Sequence, residues 1–247
     1  LADNPEHRAK RDLHDEHHAE QIKRIWKESS GRYGVRKVWQ QLKREGYVIA
    51  RCTVARLMQK LGIQGVWRGK NKQTTRSRDD QKRADDLVKR NFNADHPDQL
   101  WVSDFTYIQT HSGWVYTAFI IDVFSRAIVG WKVSTRMNTD MVLDALEQAL
   151  HDRGMPKNVI HHSDRGVQYL SIRYTNRLEA ANLRASVGTT GDSYDNALAE
   201  TVNGLYKTEV IEYLKADWQG LADVQLATLN WVDWFNKKRV HSALGYV

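Results

Sequence analysis

Cysteine is nearly absent from this sequence of 247 residues, which contains a single one, Cys52. One cysteine excludes an internal disulfide and a cysteine-rich zinc site, and it fits a reducing cytosol. Long apolar runs are also missing: the segment TAFII at 117–121 is far shorter than the roughly 20 residues that span a bilayer. No secretory signal opens the chain. Because it begins at Leu1 and stops abruptly at Val247, we expect a fragment or one part of a longer polyprotein.

Acidic residues are too few to balance the basic ones, and the formal net charge is +7. The excess is uneven, since the segment from Arg68 to Arg83 contains seven Lys or Arg against two Asp. Such an imbalance favours a polyanionic partner, with nucleic acid first and an anionic membrane second. A hydrophobic content of 41% supports a packed core and argues against wholesale disorder.

Three segments near the start have the apolar periodicity of helices: residues 14–28, 35–46 and about 53–60. The last of them is basic and exposes Arg56 and Lys60, which suggests a helix-turn-helix-like DNA-binding domain over residues 1–67. A three-helix scaffold with an ordinary solvated face is the alternative. Residues 68–92 lack apolar periodicity over most of their length and are predicted to be a basic linker.

The pattern changes to strands after Gln99, and residues 93–247 are predicted to form one catalytic domain. Three β-rich runs are separated by turn signals, as in a meander: LWVSDFTYI, GWVYTAFIIDVF and AIVGWKV. Helices and short strands then alternate, and a final helix is expected at about 221–237. This order predicts an α/β fold with a mixed sheet. Core positions are expected for many apolar side chains in this region, among them Trp114, Leu226 and Leu229.

Three acidic residues stand out by their positions. Asp104 lies in the middle of the first strand, Asp164 ends the fourth, and Glu200 falls near the start of a helix. A charge in a buried strand is rare unless it is paired or binds metal. Three carboxylates brought together by a sheet and a helix would suit Mg²⁺ and phosphoryl transfer. Spacing alone is weak evidence, because the chain contains 30 acidic residues.

The short sequence motifs around these acids are more specific evidence than the spacing of the acids. WVSDFTYI, DVFSRAIVGW, HHSDRGVQYLS, GDSYDNALAE and FNKKRVHSALGY resemble the IS-three family of bacterial insertion-sequence transposases, in particular its OrfB catalytic part. Thirty-five residues separate Asp164 from Glu200, and Lys207 follows seven positions later, as in the D-D-35-E pattern of retroviral integrases and related transposases. RYGVRKVWQQL and VARLMQKLGIQG resemble the helix-turn-helix region of the same family.

The resemblance implies an RNase H-like core in which Asp104, Asp164 and Glu200 hold two Mg²⁺ ions, with Mn²⁺ as a substitute. It implies cleavage of double-stranded DNA at the terminal inverted repeats of an element, transfer of the freed 3′-OH to another strand, and a circular intermediate. The implied assembly is a homodimer or higher oligomer on DNA, in the bacterial cytoplasm at the nucleoid.

Other residues of the same motifs receive lesser roles. Lys207 is expected on the face of the helix that carries Glu200, within reach of a DNA phosphate, and a solvated lysine is the alternative. Asp192 and Asp195 are expected to serve as turn and helix-cap residues, and Glu209 to lie at the surface. Ser193 departs from the cysteine that is common in the family, at a position that is not a metal ligand. The N-terminal helix-turn-helix and leucine zipper of the OrfA portion are not visible.

Histidines and arginines near the acids give further candidates for DNA contact. His161 and His162 lack the partners of a zinc site, and strand alternation leaves only one ring, expected to be His162, at the border of the active site. Structural packing is the alternative for that ring. Arg165 follows Asp164 and could touch DNA or cap the next helix. Arg239 and His241 are expected to contact DNA; these last two assignments rest on the family comparison.

Two other functions remain open from the residues alone. A plain nuclease would share the three acids but would need neither the helix-turn-helix-like domain nor Lys207. A DNA-binding regulator would use the acids only structurally, and an Asp104→Asn substitution would leave its function intact. A membrane-surface protein is disfavoured, since the chain offers no amphipathic anchor.

Overall fold

A computed structural model of the chain describes residues 10–67, 87–88, 92–164, 166–187, 197–214 and 217–246. The described residues form two compact units, one helical and one built on a sheet. The helical unit contains residues 10–67 together with 239–246, and the second contains the described residues from 87 to 238. Residues 239–246 thus group with the helices, and the predicted domain boundaries at 67, 92 and 247 stay predictions. Most of the predicted linker lies outside the described residues.

The helical unit is built from α1 (Lys10–Glu28), α2 (Val35–Arg44) and α3 (Arg51–Lys60). Each helix contributes apolar residues at helical spacing, and the buried set is Ile22, Ile25, Val38, Leu42, Val54, Leu57 and Met58. The three predicted helices are thus present. Two of them begin earlier than expected, α1 at Lys10 and α3 at Arg51.

The end of the chain completes this unit. The backbone N–H of Val240 donates to the hydroxyl of Tyr33 at 2.7 Å, and Val240 itself is fully buried. The guanidinium of Arg36 lies 5.1 Å from the ring centroid of Tyr246. Residues 239–246 therefore bind to the helices by specific contacts, although they are separated from them in sequence by the whole second unit.

The second unit contains a five-stranded sheet with the order β3-β2-β1-β4-β5. Its strands are β1 (Leu100–Thr110), β2 (Gly113–Asp122), β3 (Ile128–Ser134), β4 (Ile160–Ser163) and β5 (Arg184–Val187). The first three pair antiparallel, and β4 pairs parallel with both β1 and β5. The predicted meander followed by alternating helices and strands is confirmed.

Two sets of helices cover the two faces of the sheet. The helices are α4 (Thr139–Asp152), α5 (Ile172–Ala180), α6 (Ala197–Tyr206) and α7 (Leu221–Lys237), with a π-helical segment, Lys207–Glu212, directly after α6. Helices α4 and α5 enclose the larger apolar core, which includes Trp101 and Ile120. On α6 and α7, the rings of Tyr206 and Trp231 pack around Phe119 of β2.

Three expectations about burial are wrong. Leu226 and Leu229 are 61% and 51% exposed, because α7 turns its aromatic residues, including Trp231 and Phe235, toward the sheet instead. Trp114 is 49% exposed. Among the described helices, none has both the length and the apolar composition needed to cross a membrane.

Close contact between β3 and α4 depends on Gly130. A Cβ atom at this position would lie 2.2 Å from the carbonyl oxygen of Ala145 and 2.9 Å from the Cβ of Ala149. Backbone cannot yield as a flexible side chain can, so the helix would have to move away from the sheet.

We expect Gly130→Ala to lower the free energy of unfolding by about 3 kcal/mol through overpacking against backbone, measured by urea denaturation. The control is Gly154→Ala, which has open space around the added methyl and a φ of +71°. In that variant the free energy of unfolding should fall by only about 1 kcal/mol, which is the cost of a left-handed backbone conformation for alanine. Equal losses in the two variants would contradict the packing argument.

Candidate active site

Asp104 lies on the α6–α7 face of the sheet. It is the direct antiparallel partner of Phe119, whose ring packs against Tyr206 at the end of α6. Two hydrogen bonds fix the half-buried carboxylate of Asp104: Oδ1 accepts the backbone N–H of Phe105 at 2.8 Å, and Oδ2 accepts from Nδ2 of Asn203 at 2.9 Å. The side chain therefore has one orientation, set by β1 and α6 together.

Asp164 lies beside Asp104 because of strand register. Strands β1 and β4 are parallel, and their last registered pair is Ser103 with Ser163, so both aspartates immediately follow the same rung. Asp164 Oδ1 accepts the backbone N–H of Gly166 at 3.0 Å. A Cβ atom on Gly166 would lie at 3.0 Å from this same oxygen, so the turn leaves little room for a side chain there.

Glu200 lies in the first turn of α6 and is exposed. It precedes Asn203 by three residues, so the two side chains lie on the same face of the helix. Because Asn203 is bonded to Asp104, this face of α6 is turned toward β1. The negative charge of Glu200 helps to raise the pKa of Asp104, and the role of Glu200 as the third acid of the site stays a prediction.

Burial and like charges act together on the aspartates. Burial, and then the nearby negative charge of Asp164, raise the pKa of Asp104 to about 8, with Glu200 adding to the increase. The hydrogen bonds from Phe105 and Asn203 oppose this increase. Burial also raises the pKa of Asp164. The site thus concentrates negative charge in a place where solvent stabilises it poorly.

The donor set fits a hard divalent cation, because all three acids offer carboxylate oxygens and Mg²⁺ prefers oxygen ligands. The ligands do not converge fully, however. Across the described residues, no three His, Cys, Asp or Glu side chains are grouped closely enough to hold a metal ion. The three carboxylates therefore have the right chemistry, and side-chain movement would be needed to close a coordination sphere.

Lys207 is half-buried and is the first residue of the π-helical segment, seven positions after Glu200. Its ammonium nitrogen lies 4.7 Å from the ring centroid of Tyr107 on β1. The ring and the ammonium attract each other electrostatically, so the side chain is held at the surface near β1. Its predicted contact with DNA stays a prediction.

Two of the residues that are predicted to contact DNA are buried. His162 has 1% of its surface exposed, because its Nδ1 is 2.9 Å from the hydroxyl of Ser186 and its ring packs edge-on against Phe92. Structural packing, the alternative for this residue, is what the structure shows. Arg239 is also buried, with 9% exposed, and belongs to the helical unit. The predicted contacts of both side chains with DNA stay predictions.

The remaining candidates are exposed or lie outside the described residues. Arg56 and Lys60 are exposed on α3, and Arg56 forms an ion pair with Asp15 of α1 at 2.8 Å. His241 is partly exposed in the helical unit. Arg165 lies outside the described residues, as do Asp192 and Asp195.

Sequence analysis did not single out Asn203 as a residue of the site, and it placed Glu209 at the surface. Asn203 holds Asp104, and the signal that could have found it is its position one helical turn after Glu200. Glu209 is 5% exposed and accepts a hydrogen bond from the indole N–H of Trp231 at 3.1 Å, so the expectation of a surface position is wrong. No local pattern marks this burial, since the tryptophan comes from α7.

Comparison with known proteins gives consistent matches along the chain. A family described as HTH-like domain matches residues 13–71, and two families described as integrase core domain match residues 94–193 and 181–247. A transposase for insertion sequence element IS629 of Shigella sonnei is 55% identical over 243 residues, which cover 98% of this chain and 81% of that protein.

Two further matches agree with this one. A Mycobacterium tuberculosis protein named for insertion sequence element IS986/IS6110 is 50% identical over 244 residues, covering 97% of this chain and 87% of its own length. A chain of a simian T-cell lymphotropic virus intasome, solved with PP2A regulatory subunit B56 gamma, superposes with a TM-score of 0.51 at 15% identity. That match covers 89% of this chain and 70% of the viral chain, and it supports the same fold.

The raised pKa of Asp104 predicts an unusual dependence of stability on pH. Between the ordinary carboxyl pKa of 3.8 and the folded value of about 8, the unfolded chain loses a proton that the folded protein keeps. Stability therefore falls as pH rises through this window. We expect Asp104→Asn to have a higher melting temperature than the wild type at pH 8 without divalent ions, and the difference to vanish toward pH 4.

Thermal unfolding followed by circular dichroism at several pH values measures this effect. Glu179→Gln, which neutralises an exposed carboxylate on α5, serves as the matched control and should follow the wild-type curve. An Asp104→Asn difference that is independent of pH would contradict the electrostatic account.

Proposed function

This chain belongs to the insertion-sequence transposases with an integrase core domain, and on that premise we propose that Asp104, Asp164 and Glu200 are its catalytic, metal-binding residues. The observation that carries the assignment is the β1–β4 register, which sets the two aspartates side by side. Asn203 supports it, since this residue ties Asp104 to the helical face that also bears Glu200.

The reaction is a polynucleotidyl transfer in two in-line displacements. In the first, a water oxygen forms a bond to phosphorus at the end of the element while the bond to the 3′ oxygen breaks, which frees a 3′-OH. In the second, this hydroxyl attacks a phosphodiester of another strand, and the leaving 3′ oxygen takes up a proton. Both steps need an attacking oxygen, a phosphate and a leaving group held in line.

The three carboxylates would hold divalent cations, with Mg²⁺ as the proposed ion, Mn²⁺ as a substitute and two ions per site. Such ions would lower the pKa of the attacking water or hydroxyl group, which makes it a better nucleophile. They would also neutralise the charge that develops on the phosphate. The protein's own contribution is positioning: β1 and β4 fix the aspartates, and the amide of Asn203 orients the Asp104 carboxylate. The raised pKa of Asp104 is what an unneutralised carboxylate cluster produces.

DNA recognition is proposed for three regions of the chain. The helical unit would bind the terminal repeat through the exposed face of α3, where Arg56 and Lys60 lie, with His241 as a further candidate. The basic segment 68–92 would follow the phosphate backbone, and Arg165 would contact DNA beside the catalytic acids. Assembly as a homodimer or higher oligomer on DNA would bring two element ends together.

Strand transfer tests the catalytic assignment directly. Labelled duplexes that carry the two element ends are incubated with Mg²⁺ and the wild type, Glu200→Gln or Glu212→Gln. We expect Glu200→Gln to lower joining by about a thousandfold or more, because a lost metal ligand removes several kcal/mol of charge stabilisation. Glu212 is an exposed acid on the same helical run, so its variant should join ends normally.

Three outcomes distinguish the alternatives in this assay. Nicking without joining by the wild type would indicate a nuclease. Undiminished joining by Glu200→Gln would refute the assignment of the third acid. Loss of joining in both variants would indicate a general effect on the helical run rather than a catalytic role.

Lys207 is proposed to bind a phosphate of the element end. Neutralising it should weaken DNA binding and reduce the slope of log affinity against log salt concentration by about one. Fluorescence anisotropy between low and moderate salt measures the slope. Lys132→Gln is the control, since the Lys132 ammonium is already paired with Asp144 at 2.8 Å and should not contribute. An unchanged slope for Lys207→Gln would contradict the proposal.

A further inference from the structure

One ion pair joins the first and third helices of the helical unit at its proposed DNA-binding face. Nη2 of Arg56 on α3 donates to Oδ1 of Asp15 on α1 at 2.8 Å. The side chain of Asp15 is only 12% exposed, whereas that of Arg56 is 43% exposed. The acid is therefore mostly covered, while much of the guanidinium remains accessible to a ligand.

Arg56 projects from the solvent side of α3. The buried stripe of this helix consists of Val54, Leu57 and Met58. At roughly 100° of rotation per residue, Arg56 lies largely on the opposite side of the helix from that stripe. Helix α3 follows α2 after a short turn, and in helix-turn-helix proteins this second helix enters the major groove, where its side chains contact base edges. Arg56 is thus placed on the face of α3 that would meet the bases.

The surroundings of Arg56 do not suit a phosphate contact. A cleft of about 420 Å³ lies between α1 and α3, and the charged side chains that line it among the described residues are Asp12, Asp15, Glu16 and Lys60. Acids outnumber the lysine, so the DNA backbone is repelled from the cleft. The charge of Arg56 is itself balanced by Asp15. Its side chain is therefore poorly placed to neutralise a phosphate, which is the usual role of a basic residue on DNA.

The pair with Asp15 fixes the guanidinium and leaves most of its donors free. Arginine has five N–H donors, and the bond to Asp15 uses one of them. An edge with two parallel donors remains, and this arrangement matches the O6 and N7 acceptors that guanine presents in the major groove. A guanidinium that is already held in one orientation also loses less conformational freedom when it docks. The geometry therefore favours the reading of a base over the binding of a phosphate.

We propose that Asp15 is a positioning residue for sequence recognition, which orients Arg56 to read one guanine of the terminal repeat. This inference rests on the function proposed for the helical unit and deepens it, because it names the base and the residues on which selectivity depends. Asp15 acts through Arg56 and does not contact the DNA itself. Without Asp15 the guanidinium is free to turn to a phosphate, and it then binds DNA of any sequence.

Selection from randomised DNA tests this inference without requiring catalysis. The whole chain is incubated with duplexes that carry a randomised central segment, and the bound duplexes are recovered and sequenced. We expect the wild type to enrich a motif with a guanine at one fixed position, and Asp15→Ala and Arg56→Ala each to lose that guanine while the rest of the motif persists. Measured by fluorescence anisotropy, the preference of the wild type for the motif over a duplex with that G·C pair replaced by A·T should be about 5- to 100-fold, and both variants should lose it.

Three further variants separate positioning from the effects of charge and of stability. Glu20→Ala removes one negative charge from an exposed position of the same helix and should keep the guanine. Asp15→Asn retains an oxygen acceptor for the guanidinium and should keep the preference that Asp15→Ala loses. The double variant of Asp15→Ala with Arg56→Ala should discriminate as Arg56→Ala alone does, because both residues act through one contact. Circular dichroism and thermal unfolding identify any variant that has lost its fold.

The inference and the proposed function fail in different ways. If the wild type enriches no motif, recognition by the helical unit is refuted, and the inference with it. A motif whose guanine persists in Asp15→Ala, or in Arg56→Ala, would overturn the inference only and leave DNA recognition by α3 intact. An equal loss of affinity for all sequences in Asp15→Ala would also overturn it, by showing that the ion pair only holds α1 against α3.

Discussion

The parallel pairing of β4 with β1 is the constraint on which the site depends. Ser103 lies opposite Ser163, and the residue that follows each of them is an aspartate. The pairing therefore places the two carboxylates side by side. A shift of one residue in this register would send one of them to the other face of the sheet. The side chains of Trp101 on β1 and of His161, His162 and Ser163 on β4 are all buried, so packing around the two strands maintains an electrostatically unfavourable arrangement.

The contrast with Asp122 shows how differently an acid can be accommodated in the same sheet. Asp122 is fully buried, and its oxygens accept the backbone N–H groups of Asp98 and Ser125 and the hydroxyl of Ser125. These bonds satisfy it as a structural residue. Asp104 receives fewer such bonds and lies beside other acids, which is typical of functional sites, where stability is lower than the fold could provide.

Much of this architecture could be predicted from local sequence patterns. Apolar residues that alternate with a period of two predict β1 to β3, and apolar residues at helical spacing predict α4 and α7. The sequence motifs point to the three acids. The sequence could not predict features that depend on distant partners. The burial of Glu209 depends on Trp231 of another helix, that of His162 depends on Ser186 of β5, and residues 239–246 bind helices at the opposite end of the chain. Leu226 is exposed because α7 packs on the core through the face that carries its aromatic side chains.

The central claim is that three acids from separate elements act as one cation site, and direct metal binding tests it most simply. Bound Mn²⁺ can be counted by electron paramagnetic resonance on the DNA-bound protein, with the wild type beside Asp104→Asn, Asp164→Asn, Glu200→Gln and the surface control Glu179→Gln. The account predicts that each of the first three variants loses bound Mn²⁺ and that the control retains it. Full Mn²⁺ occupancy in all three variants would contradict it.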